Sequence, residues 1–107
     1  MTDSLAIENN LVLVGEVVKA PKLSTSPAGI SHCQFSIEHR SIQLEADLRR
    51  QAYARMQVVA TGEWSQQLTR ELAQGSKIKV SGFINRHESR NGQSLLVLHA
   101  QHIEMII

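Results

Sequence analysis

The sequence is short of several things at once. It has one cysteine, two prolines and 4% aromatic residues among 107. A single cysteine, Cys33, excludes an internal disulfide, and a reducing compartment, the cytoplasm, is the expected setting. Neither sign of charge is in excess: 11 Lys and Arg against 10 Asp and Glu leave a formal charge of +1. A strongly basic nucleic-acid-binding domain would not show that balance, so any site for a polyanion must come from where the charges are placed. No basic segment followed by an apolar run opens the chain, and no apolar run is long enough to span a bilayer, so no membrane partner is expected. What remains is one domain, with 42% hydrophobic residues to build a single core.

Residues 10–21, NLVLVGEVVKAP, read as a long first strand, apolar on both faces and interrupted by Gly15. A glycine inside such a strand marks a bulge or bend, which lets one strand pair with different neighbours on either side of it. A plain sandwich strand with an incidental glycine is the other reading of this stretch alone. Residues 1–9 are polar and acidic and are expected to be a flexible extension, leaving 10–107 as the domain.

Residues 21–31, with two prolines, Gly29 and four hydroxyl side chains, read as a loop. Residues 32–41 then alternate, with Cys33, Phe35, Ile37 and His39 inward and Gln34, Ser36, Glu38 and Arg40 outward. A charged connection over 43–48 leads to a third strand, 49–61. Ala52, Ala54, Met56, Val58 and Ala60 face inward there, while Gln51, Tyr53, Arg55 and Gln57 face out. The sole tyrosine thus falls on the solvent side beside arginine.

Residues 62–75 switch to helical spacing: Trp64, Leu68 and Leu72 are four apart, and Gly75 supplies a stop. Trp64 reads as a staple pinning the helix, with a base-stacking platform as the alternative. A fourth strand over 76–87 places Ile78, Val80 and Ile84 inside and Lys77 and Lys79 outside, with Gly82 as a second bulge. Asn91-Gly92 signals a hairpin into the last strand, 94–105. That strand is apolar on both faces (Leu96, Leu98 and Ala100; Leu95, Val97 and Ile103), which suggests that one face meets another subunit. Three strands, a short helix and a two-stranded hairpin are the order of an all-β, five-stranded OB-fold Greek-key barrel, with the helix between strands three and four.

Catalytic sets are missing. Five histidines (His32, His39, His87, His99, His102) and Cys33 invite a metal, yet a structural zinc needs four well-placed ligands, and His99 and His102, three apart, read as pointing to opposite faces. No phosphate-cradling glycine loop and no carboxylate pair appears. No metal, no cofactor and no enzyme activity are expected. A groove is the remaining candidate. OB barrels bind single strands on the face of strands two and three, walled by the loops joining strands one to two and four to five. Projection onto that plan collects Arg40, Arg50, Tyr53 and Arg55 from the face, Lys22 and Ser24 from the first loop, and Arg86 and Arg90 from the second. Cations neutralise phosphates, and an exposed aromatic offers any base a stacking surface. Glu38 and Glu88 intrude on this set. Tyr53 as the anchor of a protein interface fits the same residues.

The stretches SPAGISHCQFSIEHRS (26–41), RQAYARMQV (50–58), LVLVGEVVKAP (11–21) and the GFI, NG and LVLHAQHIE elements of 82–104 closely resemble the family of primosomal replication protein N, PriB. The resemblance runs over nearly the whole chain from Asn10. It implies a homodimeric OB-fold protein that takes part in restarting stalled replication forks. Its implied partners are single-stranded DNA, the helicase PriA, which it stimulates, and DnaT, to which it helps hand over. A primosome adaptor of the same fold with little direct DNA binding is the alternative. The resemblance makes Tyr53 the stacking aromatic, Arg40 a basic position of the DNA face, and Arg90 part of a basic strand four-to-five loop. Glu88 and Leu95, where relatives carry lysine, and Ser24 depart from the pattern. The family lacks the acidic-hydrophobic tail of ordinary single-strand binders, and the ending IEMII matches that expectation.

Overall fold

Parity along the first strand decides which way the rest of the wall faces. In the computed structural model, which describes residues 7–106, six strands and one helix succeed one another. They are β1 (Leu11–Val17), β2 (Lys22–Thr25), β3 (Ser31–Glu45), β4 (Leu48–Thr61), α1 (Trp64–Glu71), β5 (Lys77–Glu88) and β6 (Ser94–Met105). Leu11 and Leu13 pack against the core and Gly15 and Val17 are buried in it, whereas Val12 and Val14 lie exposed on the outside. The strand is therefore covered on one face, not both as its apolar composition suggested.

The strands pair in the order β1-β5-β6-β4-β3-β2, and a further β1–β3 pairing closes the sheet into a barrel. Strand β1 makes this closure by changing partners: Leu11 to Glu16 pair with β5, and Glu16 and Val17 also pair with β3. At the changeover sits Gly15, where an added Cβ would lie 2.8 Å from the carbonyl oxygen of Glu38. Only a residue without a side chain lets β3 come that close. The expected OB architecture holds, with one addition. Four residues of the expected first loop, Lys22–Thr25, form a short strand paired with residues 31–34 of β3.

Buried Cys33, Phe35, Ile37, Val58, Ile78 and Leu98 fill the barrel. Desolvation raises the Cys33 thiol above its ordinary value, partly opposed by a hydrogen bond with Thr69. Helix α1 packs against β2, β3 and β4 through buried Leu68, its capping residue Leu72 and Ser65, whose Oγ donates to the Gly62 carbonyl at 2.6 Å. Trp64, at the start of the helix, is 38% exposed, and its indole N–H donates to the Thr61 carbonyl of β4 at 2.8 Å.

Both hairpins overrun the barrel. Strands β3 and β4 stay paired from His32↔Thr61 out to Glu45↔Leu48, where Ala46 (φ 51°) and Asp47 (φ 63°) form the tight turn. Two central residues with positive φ are the mark of a type I′ turn, here without the usual Asn-Gly. The expected connection over 43–48 is thus mostly strand, and Ala54, expected inside, is exposed because that part of β4 has left the barrel. The Asn91-Gly92 hairpin exists but is looser than the dipeptide suggests, spanning a loop from Ser89 to Gln93 whose backbone closes at 2.8 Å.

Between β5 and β6 the register slips at Ser81/Gly82: Ser81 faces His102 and Gly82 faces Ala100, leaving Gln101 as the extra residue. The bulge expected at Gly82 therefore adds its residue on the opposite strand, and it places His99 and His102 on one face, not two. A Cβ on Gly82 would run into the main-chain carbonyl of His99. At the other end of the chain, the Asn9 side chain bonds both the carbonyl (2.8 Å) and the amide (2.9 Å) of Ile84, so the expected flexible extension is tied down there. Residues 1–6 of that extension lie outside the described residues.

Main chain cannot yield as a flexible side chain can, so Gly82→Ala should destabilise the protein by about 1–3 kcal/mol, the usual range for overpacking. Urea unfolding of the variant and the parent checks this; equal midpoints would contradict the close approach.

Candidate nucleic-acid interface

Paired residues on neighbouring strands point to the same face, so the register alone assembles the site. Glu38 pairs with Arg55, Arg40 with Tyr53 and Ser36 with Gln57, all on the outer face of β3 and β4. Lys22 pairs with Gln34 and Ser24 with His32, which carries the same face onto β2. Tyr53, Arg40, Arg55, Lys22 and Ser24 therefore share one surface. Tyr53 faces water, as its place in the alternation predicts, and is 55% exposed.

Glu38 is the hub of this surface. Its Oε1 accepts the Tyr53 hydroxyl at 2.9 Å and is ion-paired with Arg55, while Oε2 lies 4.0 Å from the Arg40 guanidinium. The Arg55 hydrogen bond, with help from Tyr53, holds the Glu38 carboxyl below the ordinary carboxylate value, and Glu38 in turn raises Arg55. Arg40 lies over the Tyr53 ring, 4.6 Å from its centroid, as a cation against the negative face of the ring. An aromatic ring and a guanidinium are both surfaces on which a nucleobase can stack.

Recesses open beside the hub on this face. One, of about 330 Å³, lies under the β1–β2 connection between Lys19, Lys22, Gln34 and Arg55; the other, of about 340 Å³, runs past Arg40, Ile42, Gln51 and Tyr53. The remaining sequence-predicted residues lie apart from this surface. Arg50 pairs with Gln43 on the opposite face of the arm and reaches Glu45 at 3.4 Å. Arg86 continues the inward side of β5 beyond Ile84 and pairs with Glu88 at 3.7 Å. Arg90 sits in the β5–β6 loop with no ion pair among the described residues. Sequence reasoning missed Lys19 and Arg49. Arg49 faces Leu44 on the same side as Tyr53, and its odd position along β4 was signal enough to find it.

Residues 9–102 match a family described as another single-strand binding protein family. The chain is 56% identical over 98 residues to the replication restart protein PriB of Photorhabdus laumondii, covering 92% of this chain and 93% of that one. The chain belongs to the PriB family. PriB-type proteins and their single-strand-binding relatives are binding proteins, and the chain is not an enzyme. A priB structure from Ralstonia solanacearum shares the fold at a TM-score of 0.75 and 22% identity, covering 94% of this chain and 100% of that one. The single-stranded DNA binding protein from Thermus aquaticus does so at 0.79 and 17%, covering 94% and 50%. Neighbours of both kinds carry the barrel described above. No helix among the described residues is long and apolar enough to cross a membrane.

The Glu38 carboxyl should titrate below an ordinary glutamate by carbon-detected NMR, and Arg55→Ala should return it toward that value. Because its folded-state pKa is depressed, its stabilising contribution is present at neutral pH and is lost as pH falls through the folded value. An unchanged titration in Arg55→Ala would remove Arg55 as the cause.

Proposed function

We propose that the outer face of β2, β3 and β4 binds single-stranded DNA in the cytoplasm during restart of stalled replication forks. One observation carries the reading: the exposed Tyr53 ring, with the Arg40 guanidinium over it, sits amid Arg55, Lys22 and Lys19 on one face. Bases stack on the ring and guanidinium planes without regard to sequence, and phosphates run along the cations. Glu38 already engages Arg40, Arg55 and the Tyr53 hydroxyl, so an incoming phosphate has to compete with a carboxylate for them. That competition, together with a single aromatic on the face, makes for modest and salt-sensitive affinity. Arg90 extends the path onto the β5–β6 arm, while Arg50 and Arg86, ion-paired with Glu45 and Glu88, take no part in it.

The protein acts as a homodimer in this reading. From Leu11 to Gly15 strand β1 is paired on its β5 side only, and exposed Val12 and Val14 lie on that stretch. The restart helicase PriA and DnaT are the proposed protein partners, with the helicase stimulated and DnaT receiving the complex. A second reading, an adaptor with little direct DNA contact, is favoured by the tip of the β3–β4 arm. Leu44 there is 76% exposed and Leu48 55%, beyond any core they could serve. Apolar side chains on a projecting arm suit a protein partner better than a phosphate backbone.

Titration of a labelled oligonucleotide at two salt concentrations separates the readings. Direct binding requires affinity to fall steeply with salt, and Tyr53→Ala should weaken it roughly tenfold, about 1.4 kcal/mol of stacking. Arg40→Ala and Arg55→Ala should each flatten the salt slope by about one unit at most. Glu38→Gln should tighten binding about two- to fivefold by removing the exposed competing charge. Salt-independent binding, unchanged in Tyr53→Ala, would leave the adaptor reading. Light scattering on the same sample should give twice the chain mass; a monomer would exclude the dimer.

A further inference from the structure

Main-chain hydrogen bonds leave a strand on alternate sides, so parity along β4 says which residues bond β3 and which do not. Both ends of the hairpin fix that parity. The two-residue turn at Ala46 and Asp47 closes on the pair Glu45↔Leu48, so even-numbered β4 residues bond β3. At the far end Gly62, of the same parity, donates its amide to the Ser31 carbonyl at 2.9 Å. Odd-numbered residues therefore direct amide and carbonyl to the other edge. From Gln57 onward that edge is taken up by β6. Before Gln57 no strand lies along it among the described residues, which leaves the main chain of Arg49, Gln51 and Tyr53 open.

Open sheet edges are normally blunted by shortness, a bulge or a proline. Strand β2 has only four residues, and the β1 edge meets a second copy in the dimer reading. The β4 edge has neither protection: its register against β3 is unbroken from Thr61 to Leu48, with no proline or glycine. Arginine guards it instead. Residues 48–56 carry Arg49, Arg50 and Arg55 and no acidic side chain, so two copies of this edge repel each other. Arg49 has no ion pair among the described residues. The two faces beside the edge differ in size as well. Arg49, Gln51, Tyr53 and Arg55 stand on the outer face, whereas Ala52 and exposed Ala54 on the reverse leave room for large neighbours.

We propose that the open edge of β4 captures an extended peptide segment of a partner protein, alternately acidic and apolar, as an added antiparallel strand. Arg49, Gln51 and Tyr53 each exchange two main-chain hydrogen bonds with one peptide residue. The peptide residues so paired point to the outer face, where acidic side chains meet Arg49 and Arg55. The residues between them point to the reverse face, where β-branched apolar side chains cover Ala52 and Ala54. Main-chain pairing supplies the affinity, and the alternation supplies the choice of partner. Pairing lies in the plane of the sheet, so the proposal stands whether or not the Tyr53 ring stacks on DNA.

The test uses the full-length chain and a capped peptide of about eight residues that alternates glutamate and valine. In the unbound protein, hydrogen exchange read by NMR should find the amides of Arg50, Ala52 and Ala54 protected and those of Arg49, Gln51 and Tyr53 fast. The peptide should bind and slow the latter three. Methylating the main-chain nitrogens of its glutamates should abolish binding, whereas methylating those of its valines, which point away from β4, should not. Lysine in place of glutamate should also abolish it. Gln51→Pro removes an open-edge amide without breaking a bond to β3, and should weaken the peptide at least about tenfold. No binding, equal affinity of the two methylated peptides, or binding unchanged in Gln51→Pro would overturn the proposal. Protected amides at Arg49, Gln51 and Tyr53 in the unbound chain would do so too, because the edge would already be covered. The methylated peptides need no variant and decide the matter even if Gln51→Pro fails to fold. An oligonucleotide that fails to bind bears on the outer face alone.

Discussion

Four residue pairs of parallel strand join the two hairpins of this barrel, Gln57 to Ala60 against Val97 to Ala100. Because β4 and β6 run the same way there, the segments just before them, the outer part of β4 and the start of β6, leave the barrel from the same end. Each belongs to a hairpin, so the β3–β4 arm and the β5–β6 arm project side by side. Beyond Gln57 and Val97 the two strands no longer pair, which leaves a gap between the arms. The placement of the candidate site follows from this short seam. It holds the outer half of β4, with Tyr53 and Arg55, clear of the core and still anchored to it.

Around that seam the electrostatics are local. A formal charge of +1 gives no general attraction to a polyanion, so the work falls to neighbours within a few ångströms. Glu38 holds Arg55 and Tyr53 and lies near Arg40, the groups that the proposed reading offers to a phosphate. The same carboxylate that orders these side chains in the unbound protein also opposes a ligand of its own sign. Preorganisation and competition are one interaction seen from two sides.

Most of the architecture was legible because period-two alternation is a strong signal wherever one face is buried. Alternation placed Cys33, Phe35, Ile37 and Val58 inside and Tyr53 outside, and the position of the helix between strands named the barrel. The readings failed where alternation loses its reference. Beyond the barrel both faces of the arm are wet, so Ala54 is exposed whatever its parity. One extra residue at the Ser81/Gly82 slip resets the alternation, and His99 and His102, expected to diverge, end on one face. His87 Nε2 and His99 Nε2 meet at 2.9 Å from separate strands, and no spacing along a single strand could reveal it. Arg50 was read with the Tyr53 face although its even position set it on the other side. Glu38 was noted as an intruder, yet its role as hub depends on side-chain reach that sequence does not encode.

Cys33 lies wholly inside the barrel wall, with its thiol raised by desolvation. A protonated sulfur without access to solvent is a poor nucleophile, slow toward peroxide, maleimides and thiol exchange alike. The native chain therefore behaves in practice as a cysteine-free background. A thiol introduced at the tip of either arm could carry a spectroscopic probe with little labelling elsewhere, giving a direct measure of how far the two arms part or approach.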